Sequence, residues 1–225
     1  QTEAAVWIDI IDPEDEEIEW LQQHCSLHPL VLEDINRNDT RPTILPYTDY
    51  LFVSLFQPVI SMQKVTGCEI HCIISENYFI TIRNADSTGV DDAYERVAQN
   101  PKYWERDIAY FLYLTIQSVV DKYYPLADNI SYELNKLEED LLSFKNEERT
   151  RGIVFRLKQQ LIELRKMIAP QREVLSTMIG EERLARTNES RDLFRHLYER
   201  LMRIYDIIDS QRVLSSNVLD LLQSR

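Results

Sequence analysis

The last 38 residues of the chain, Asn188–Arg225, contain neither glycine nor proline, and this constrains the fold more than any other feature of the sequence. An unbroken helix of that length extends about 57 Å at 1.5 Å per residue. Its apolar residues occupy two neighbouring faces: a heptad seam of Leu197, Leu201, Ile204, Ile208, Val218 and Leu222, and a second row of Ile207, Leu214 and Leu221. The apolar surface of such a helix is too wide to be buried against a single partner helix. Two interpretations stay open, a third helix in a monomeric bundle or a helix shared with other subunits.

Residues 102–187 also show helical periodicity. Apolar residues recur at three- and four-residue steps over Val119–Leu141 and again over Val154–Ile168, a pattern typical of coiled-coil-like helices. The polar segment Lys145–Arg151 between them predicts a link. We therefore expect an antiparallel hairpin of two arm helices.

Two prolines and one acidic run modify this prediction. Pro125 and Pro170 are expected to kink or interrupt the arm helices, because proline removes a helical hydrogen bond. The acidic run Glu138–Asp140 lies near the tip of the hairpin. It favours a solvated helix face, with weak cation binding as the alternative.

The first hundred residues predict an α/β/α unit. Four segments are rich in β-branched and aromatic residues: Val6–Ile11, Tyr50–Ile60, Thr66–Ile74 and Tyr78–Arg83. The last three are separated by short polar breaks and predict an antiparallel meander. The fold class is therefore α+β: an α/β/α domain with a mostly antiparallel sheet at 1–101, paired arm helices at 102–187 and a long stalk helix at 188–225.

Three shorter helices accompany these strands. Asp12 is predicted as the N-cap of the first, with Pro13 in its first turn and an inner stripe of Ile18, Leu21 and Cys25. The segment Leu27–Ile35 predicts a second helix, and Val90–Gln99 a third.

The chain has three cysteines, Cys25, Cys68 and Cys72, an odd number without framework spacing. This favours a reducing, intracellular compartment. Cys68, His71 and Cys72 resemble a set of metal ligands, but on a strand the two thiols face one side and the imidazole the other. We therefore predict core thiols and a surface imidazole.

The net charge of −13 disfavours nucleic acids and anionic membrane surfaces as partners, and it makes cations the natural ones. No run approaches the roughly 18 apolar residues of a membrane span, and the amino terminus lacks a signal-peptide pattern. We expect these 225 residues to be soluble.

The sequence lacks the motifs of common enzyme classes. It has no glycine-rich phosphate loop, no nucleophile elbow and no His-Glu-x-x-His helix, and its four histidines have no nucleophile at suitable spacing. The prediction is therefore not an enzyme. A soluble coiled-coil scaffold is an alternative, because long apolar helices also suit an oligomerising adaptor.

Several segments in order resemble the CorA family of divalent-cation transporters: Trp7-Ile8-Asp9, His28–Asp34, Arg41-Pro42, Tyr50–Val53, Glu163–Lys166 and Arg172–Leu175. The resemblance implies a homopentameric funnel at the cytoplasmic face of the cell membrane, whose stalk helix continues into a membrane helix. The family signature Gly-Met-Asn follows that helix and does not occur in this sequence. The native protein is therefore expected to continue beyond Arg225.

The resemblance also implies a regulatory metal site between subunits. Glu33 and Asp34 match the family's acidic pair, and carboxylate oxygens suit Mg2+. The stalk residue expected to complete the site is an aspartate in the family pattern, whereas this sequence has His196. An imidazole suits Zn2+, Co2+ or Ni2+ better than Mg2+, unless Glu199, one turn along, replaces it.

Two further acidic positions follow from the same resemblance. A second metal position corresponds to Gln117, with Asp121 one turn later. Asp220 matches an aspartate facing the channel axis, where a ring of carboxylates would concentrate cations. For each of these residues the alternative is a solvated or packed side chain without a ligand role. A zinc transporter of the ZntB type would share the fold and remains a second alternative.

Overall fold

The computed structural model describes residues 5–37, 41–142 and 147–223. Its elements, in chain order, are β1 (Val6–Ile11), α1 (Asp15–Cys25), α2 (Pro29–Arg37), β2 (Thr43–Pro46), β3 (Leu51–Ser61), β4 (Lys64–Ile74), β5 (Tyr78–Arg83), α3 (Thr88–Gln99), a 3-10 turn (Pro101–Glu105), α4 (Ile108–Asp121), α5 (Tyr123–Leu142), α6 (Glu147–Gly180) and α7 (Asn188–Gln223). The α+β prediction is confirmed: a sheet with helices, followed by long helices.

The five strands form one mixed sheet in the order β1-β5-β4-β3-β2. The predicted meander β3-β4-β5 is antiparallel, and β1 pairs with β5 in parallel. β3 and β4 continue to a two-residue turn at Met62 and Gln63, which have φ angles of 49° and 65°, as primed hairpin turns require. The short edge strand β2 was not predicted, because its four residues are half-buried or exposed and show no apolar alternation.

Alternate side chains of β3, β4 and β5 enter two different hydrophobic layers. On one face, Phe52, Ile73 and Ile80 pack with α1 and α2. On the other face, Leu51, Ile70 and Phe79 belong to a larger cluster that includes apolar residues of α3 to α7. The period-two alternation of a strand therefore joins the sheet to both helix layers.

The first helix begins later than predicted. Its N-cap is Glu14, whose backbone N–H donates to Glu17 Oε2 over 3.0 Å in a capping box. Asp12 was the wrong cap because it is bound elsewhere: its N–H donates to the Arg83 carbonyl (2.8 Å), and its carboxylate accepts from the Ala85 N–H (3.3 Å). Its φ angle of 48° ends β1 with a sharp turn.

The arm helices pack as an antiparallel pair. Glu133 of α5 meets Arg156 of α6 at 2.8 Å, and Tyr123, earlier in α5, accepts a hydrogen bond from Gln171, later in α6, at 2.7 Å. Part of the predicted polar link, Glu147–Arg151, is helical, while 143–146 lie outside the described residues. Near Pro125 the helix breaks as predicted, between α4 and α5. At Pro170 α6 continues without interruption, so of the two effects predicted there only a kink stays a prediction.

The stalk helix α7 packs antiparallel to α6. Arg165 Nη2 donates to Tyr205 Oη over 3.0 Å, and nearer the other end Arg151 Nη2 donates to the Leu222 carbonyl over 3.2 Å. All six residues of the predicted seam are buried. In the neighbouring row Ile207 and Leu214 are half-buried, and Leu221 is 49% exposed. One face of α7 is thus filled within the chain, and the other is only partly covered.

Candidate functional site

The acidic pair Glu33 and Asp34 lies on α2, beside the sheet. Val31 and Ile35 are buried against the sheet and orient the helix. Glu33 is exposed and forms an ion pair with Arg37 one turn later (2.8 Å), and Asp34 is half-buried. An exposed pair of this kind contributes little to stability, so the Glu33 carboxylate remains able to reorganise around a cation.

The predicted second position forms contacts between helices. Gln117 of α4 accepts a hydrogen bond from Arg96 Nη1 (3.0 Å) and donates to Tyr113 Oη (3.3 Å). Asp121 forms an ion pair with Arg200 of α7. The Arg200 guanidinium also lies 5.6 Å from the centre of the Tyr124 ring. Asp121 therefore connects α4 to the stalk helix.

The three predicted stalk residues are exposed on α7. His196 and Glu199 lie one turn apart, and Asp220 follows 21 positions after Glu199. At 1.5 Å per residue this separation is about 31 Å along the helix. Asp220 is therefore a separate position from the other two.

No group of three or more histidine, cysteine, aspartate or glutamate side chains suited to a metal ion occurs within residues 5–37, 41–142 and 147–223. The predicted ligands instead occupy α2, α4 and α7 of one chain. Glu138 and Glu139 are exposed, in agreement with a solvated face, while the side chain of Asp140 lies outside the described part.

A buried polar chain near the end of β1 was not predicted. The Trp7 indole N–H donates to Thr81 Oγ1 (3.1 Å), whose hydroxyl donates to Asp9 Oδ1 (2.7 Å). Arg83 donates to both Asp9 oxygens, at 2.8 Å for the shorter contact, and pairs also with Asp91 of α3. In the sequence, the Trp7-Ile8-Asp9 motif pointed to part of this chain of hydrogen bonds. No local pattern identified Arg83 as a member of it.

The ion pairs of Arg83 keep its guanidinium protonated. Burial alone lowers the pKa of Arg83, but the hydrogen bonds that Arg83 donates to Asp9 and Asp91 outweigh it and raise the pKa above its ordinary value. The group therefore stays cationic and holds β1, β5 and α3 together.

The prediction of a surface imidazole at His71 is wrong. The residue is only 2% exposed, because the α1 and α2 layer covers that face of the sheet. Cys72 faces the opposite layer, where burial raises the pKa of its thiol, and Cys68 is half-buried.

His71, Glu69 and Arg83 line a cleft of about 290 Å³ beside the end of α2.

A second cleft, of about 840 Å³, lies between the sheet and the turn joining α6 to α7. Its basic side chains already make contacts. Arg183 donates to the carbonyls of Tyr50 (2.9 Å) and Thr48 (3.2 Å), and Arg186 lies 3.8 Å from Glu76. These contacts attach the base of the stalk helix to the sheet.

Among the helices that the structure describes, none is both long and apolar enough to cross a membrane.

Comparison with known proteins identifies the family. The model of the CorA-like Mg2+ transporter protein family matches residues 2–225. The cobalt/magnesium transport protein CorA of Thermotoga maritima is 31% identical over 201 residues, which are 88% of this chain and 57% of that protein. The chain thus spans little more than half of this relative.

Solved structures share the fold. The CorA magnesium transporter of Methanocaldococcus jannaschii has a TM-score of 0.85 at 21% identity, covering 98% of this chain and 70% of that one. The cytoplasmic domain of ZntB from Vibrio parahaemolyticus has a TM-score of 0.80 at 16% identity, covering 97% of this chain and 86% of that one. Because the family model covers nearly the whole sequence, the chain belongs to the CorA-like Mg2+ transporter protein family.

Proposed function

We propose that this chain is the cytoplasmic, metal-sensing part of a pentameric CorA-type divalent-cation channel, and that Mg2+ is both its regulator and its transported ion. The family is one of transporters rather than enzymes, which supports the expectation that the chain has no catalytic role. Co2+ is a further candidate ion, because a relative in Thermotoga maritima is named as a cobalt/magnesium transport protein. Ni2+ and Zn2+ are candidates because the exposed imidazole of His196 suits them.

The observation that carries this proposal is the partly covered face of α7. The buried seam packs within the chain, while in the neighbouring row Leu221 is 49% exposed and Ile207 and Leu214 are half-buried. Apolar side chains in a row along a helix favour association with a further helix. In the proposed channel, α7 of neighbouring subunits supplies that contact around the axis.

The three segments have different roles in this proposal. Residues 1–101 carry the sensing pair Glu33 and Asp34, and residues 102–187 form the arms that connect sheet and stalk. Residues 188–225 form the stalk that leads to the pore. The ion pair between Asp121 and Arg200 and the contact of Arg183 with Tyr50 join these segments, so a movement of the sheet is transmitted to α7.

The proposed metal sensing depends on the repulsion between negatively charged subunits. Each subunit carries a net charge of −13, so five subunits around one axis repel one another. Mg2+ bridging Asp34 of one subunit to the stalk of the next, at Glu199 or His196, offsets this repulsion. A ligand shifts an equilibrium only by its differential affinity for the two states. High internal Mg2+ then favours the closely packed, closed channel.

The test uses the full-length protein in liposomes with controlled internal Mg2+. Asp34→Ala is expected to raise the internal Mg2+ concentration needed for closure while ion selectivity stays unchanged. Asp128→Ala, an exposed carboxylate on α5, is the matched control and should behave as wild type. If Asp34→Ala leaves the Mg2+ dependence of closure unaltered, the proposed regulatory role is wrong.

Zinc transport of the ZntB type is the second candidate, and the exposed His196 on α7 favours it. The shared fold does not determine the ion. Uptake of Zn2+ and Mg2+ measured separately in the same liposomes distinguishes the two functions. A soluble scaffold is the remaining alternative, and the absence of any cation flux through the full-length protein would favour it.

A further inference from the structure

His71 is a buried imidazole without a hydrogen bond. It lies on β4 with its side chain 3% exposed, and in the described part of the chain neither Nδ1 nor Nε2 has a hydrogen-bond partner. The ring is held in place by stacking on Phe52, with centroids 5.7 Å apart and planes at 14°. A buried polar group without a hydrogen-bond partner is energetically unfavourable. A bound ligand that pairs with the imidazole would remove this cost.

The distance between the His71 imidazole and the Glu69 carboxylate indicates which kind of ion fits between them. Nε2 of His71 is 3.4 Å from Oε2 of Glu69, whose side chain is 5% exposed. A tetrahedral ion with bonds of about 2.1 Å places two of its ligand atoms about 3.4 Å apart. An octahedral Mg2+ with similar bonds and angles of about 90° requires about 3.0 Å. The separation therefore matches a tetrahedral ion better than Mg2+.

The surroundings provide room and the right charge. The cleft of about 290 Å³ that His71 and Glu69 line is bordered also by Asp12, Asn36 and Asn84, all with oxygen atoms. The positive charge of Arg83 in its wall is already opposed by two carboxylates, those of Asp9 and Asp91. Together with Glu69 and Asp12 the local charge is negative, which favours a cation over an anion.

We propose that this cleft binds a borderline divalent cation such as Zn2+ or Co2+. Nε2 of His71 and Oε2 of Glu69 supply two ligands, and water or the cleft oxygens supply the others. A nitrogen and a carboxylate oxygen suit Zn2+ and Co2+, whereas Mg2+ prefers oxygen alone. Because the site lies within one chain, it does not depend on subunit assembly or on the proposed regulation through Asp34.

Titration of the purified 225-residue chain with ZnCl2 by calorimetry, and with CoCl2 by visible absorption, tests the proposal. We expect one ion per chain and the intense visible bands of tetrahedral Co2+. Equal concentrations of Mg2+ should not displace it. His71→Gln and Glu69→Gln should each weaken binding on the order of 10- to 100-fold. His24→Gln, which removes an exposed imidazole of α1, is the matched control and should leave this binding unchanged.

Circular dichroism establishes that each variant is folded. Unchanged Zn2+ affinity in both His71→Gln and Glu69→Gln would overturn the proposal, as would loss of binding in His24→Gln alone. If His71→Gln does not fold, crystals of the wild-type chain with Zn2+ decide the question by anomalous diffraction. A peak bonded to His71 Nε2 supports the site, and density elsewhere with none at His71 excludes it.

Discussion

The side-chain amide of Gln171 on α6 donates to the hydroxyl oxygen of Tyr123 on α5 over 2.7 Å, in the buried region between the arms and the sheet. The Tyr123 hydroxyl in turn donates to the Phe56 carbonyl (2.8 Å), and Gln171 Oε1 accepts from the Phe56 N–H (3.1 Å). Phe56 lies two residues beyond Ser54, the last residue of β3 paired with β2. Two arm helices thus satisfy the backbone groups that the short edge strand leaves unpaired.

Replacement of Gln171 by leucine should destabilise the fold by about 2–4 kcal/mol, because it leaves the Phe56 N–H buried without a partner and removes the hydrogen bond that the Tyr123 hydroxyl accepts. Chemical denaturation followed by circular dichroism measures the change. Gln159→Leu, an exposed glutamine on the same helix, should change the free energy of unfolding by less than about 0.5 kcal/mol. Equal effects of the two substitutions would contradict a role for the buried junction.

The buried phenol of Tyr123 predicts loss of stability in alkali. Burial raises the pKa of Tyr123 above its ordinary value, although its hydrogen bond with Gln171 opposes this. Above a pH of about 10 the unfolded chain therefore releases a proton that the folded chain retains, and the unfolding free energy falls by up to about 1.4 kcal/mol per pH unit for this group. Between pH 10 and 11 the unfolding free energy of Tyr123→Phe should fall less steeply with pH than that of the wild type, by a slope that corresponds to about one proton. Denaturation at each pH measures this slope. An identical slope in the variant would contradict this assignment.

Two helical glycines predict opposite outcomes on substitution by alanine. A Cβ at Gly89 would lie 2.7 Å from Gln57 Oε1 and 3.2 Å from the Ser118 carbonyl, so α3 would have to move from α4. Gly89→Ala should cost about 1–3 kcal/mol. At Gly152 of α6, apart from the helix's own nearby backbone and the two neighbouring residues, no atom of the described part of the chain lies within 4 Å of the added Cβ.

Gly152→Ala should therefore stabilise the chain by about 0.5–1 kcal/mol, because it reduces the entropy of the unfolded state. Thermal unfolding of both variants under one condition provides the comparison. The prediction fails if Gly89→Ala is as stable as wild type.

Association of the chain should depend on the exposed row of α7. Sedimentation over a concentration range should show the mass rising above that of a monomer, because the second apolar face of α7 is only partly covered. Leu221→Glu should reduce this association by placing a charge on that face. Met62→Glu, at the tip of the β3–β4 hairpin and 94% exposed, is the control. A strictly monomeric wild-type chain at high concentration would count against the stalk assignment.

Asp220 should influence ion flow rather than sensing. If it faces the channel axis, Asp220→Ala removes a ring of carboxylates that concentrates cations, and conductance falls. The internal Mg2+ concentration that closes the channel should hardly change. Asp206→Ala, another exposed carboxylate on α7, is the control in single-channel recordings. Unchanged conductance in Asp220→Ala would place this residue away from the ion path.

The sequence by itself determined the helices and most strands, because their apolar periods are local properties. The buried seam of α7 and the strands of the meander occur where the 3.6- and two-residue periods indicated. The edge strand β2 was missed since an edge needs no alternation of apolar residues. The start of α1 was misplaced because Asp12 binds the chain near Arg83, far away in sequence.

Only the tertiary structure decided which polar residues come together. Arg83 and Asp9 are separated by 74 positions, Gln171 and Phe56 by 115, and Asp121 and Arg200 by 79. No local pattern specifies such pairs, because they depend on how helix layers cover the sheet. The burial of His71 has the same cause: alternation placed its side chain on one face of β4, and α1 and α2 then covered that face.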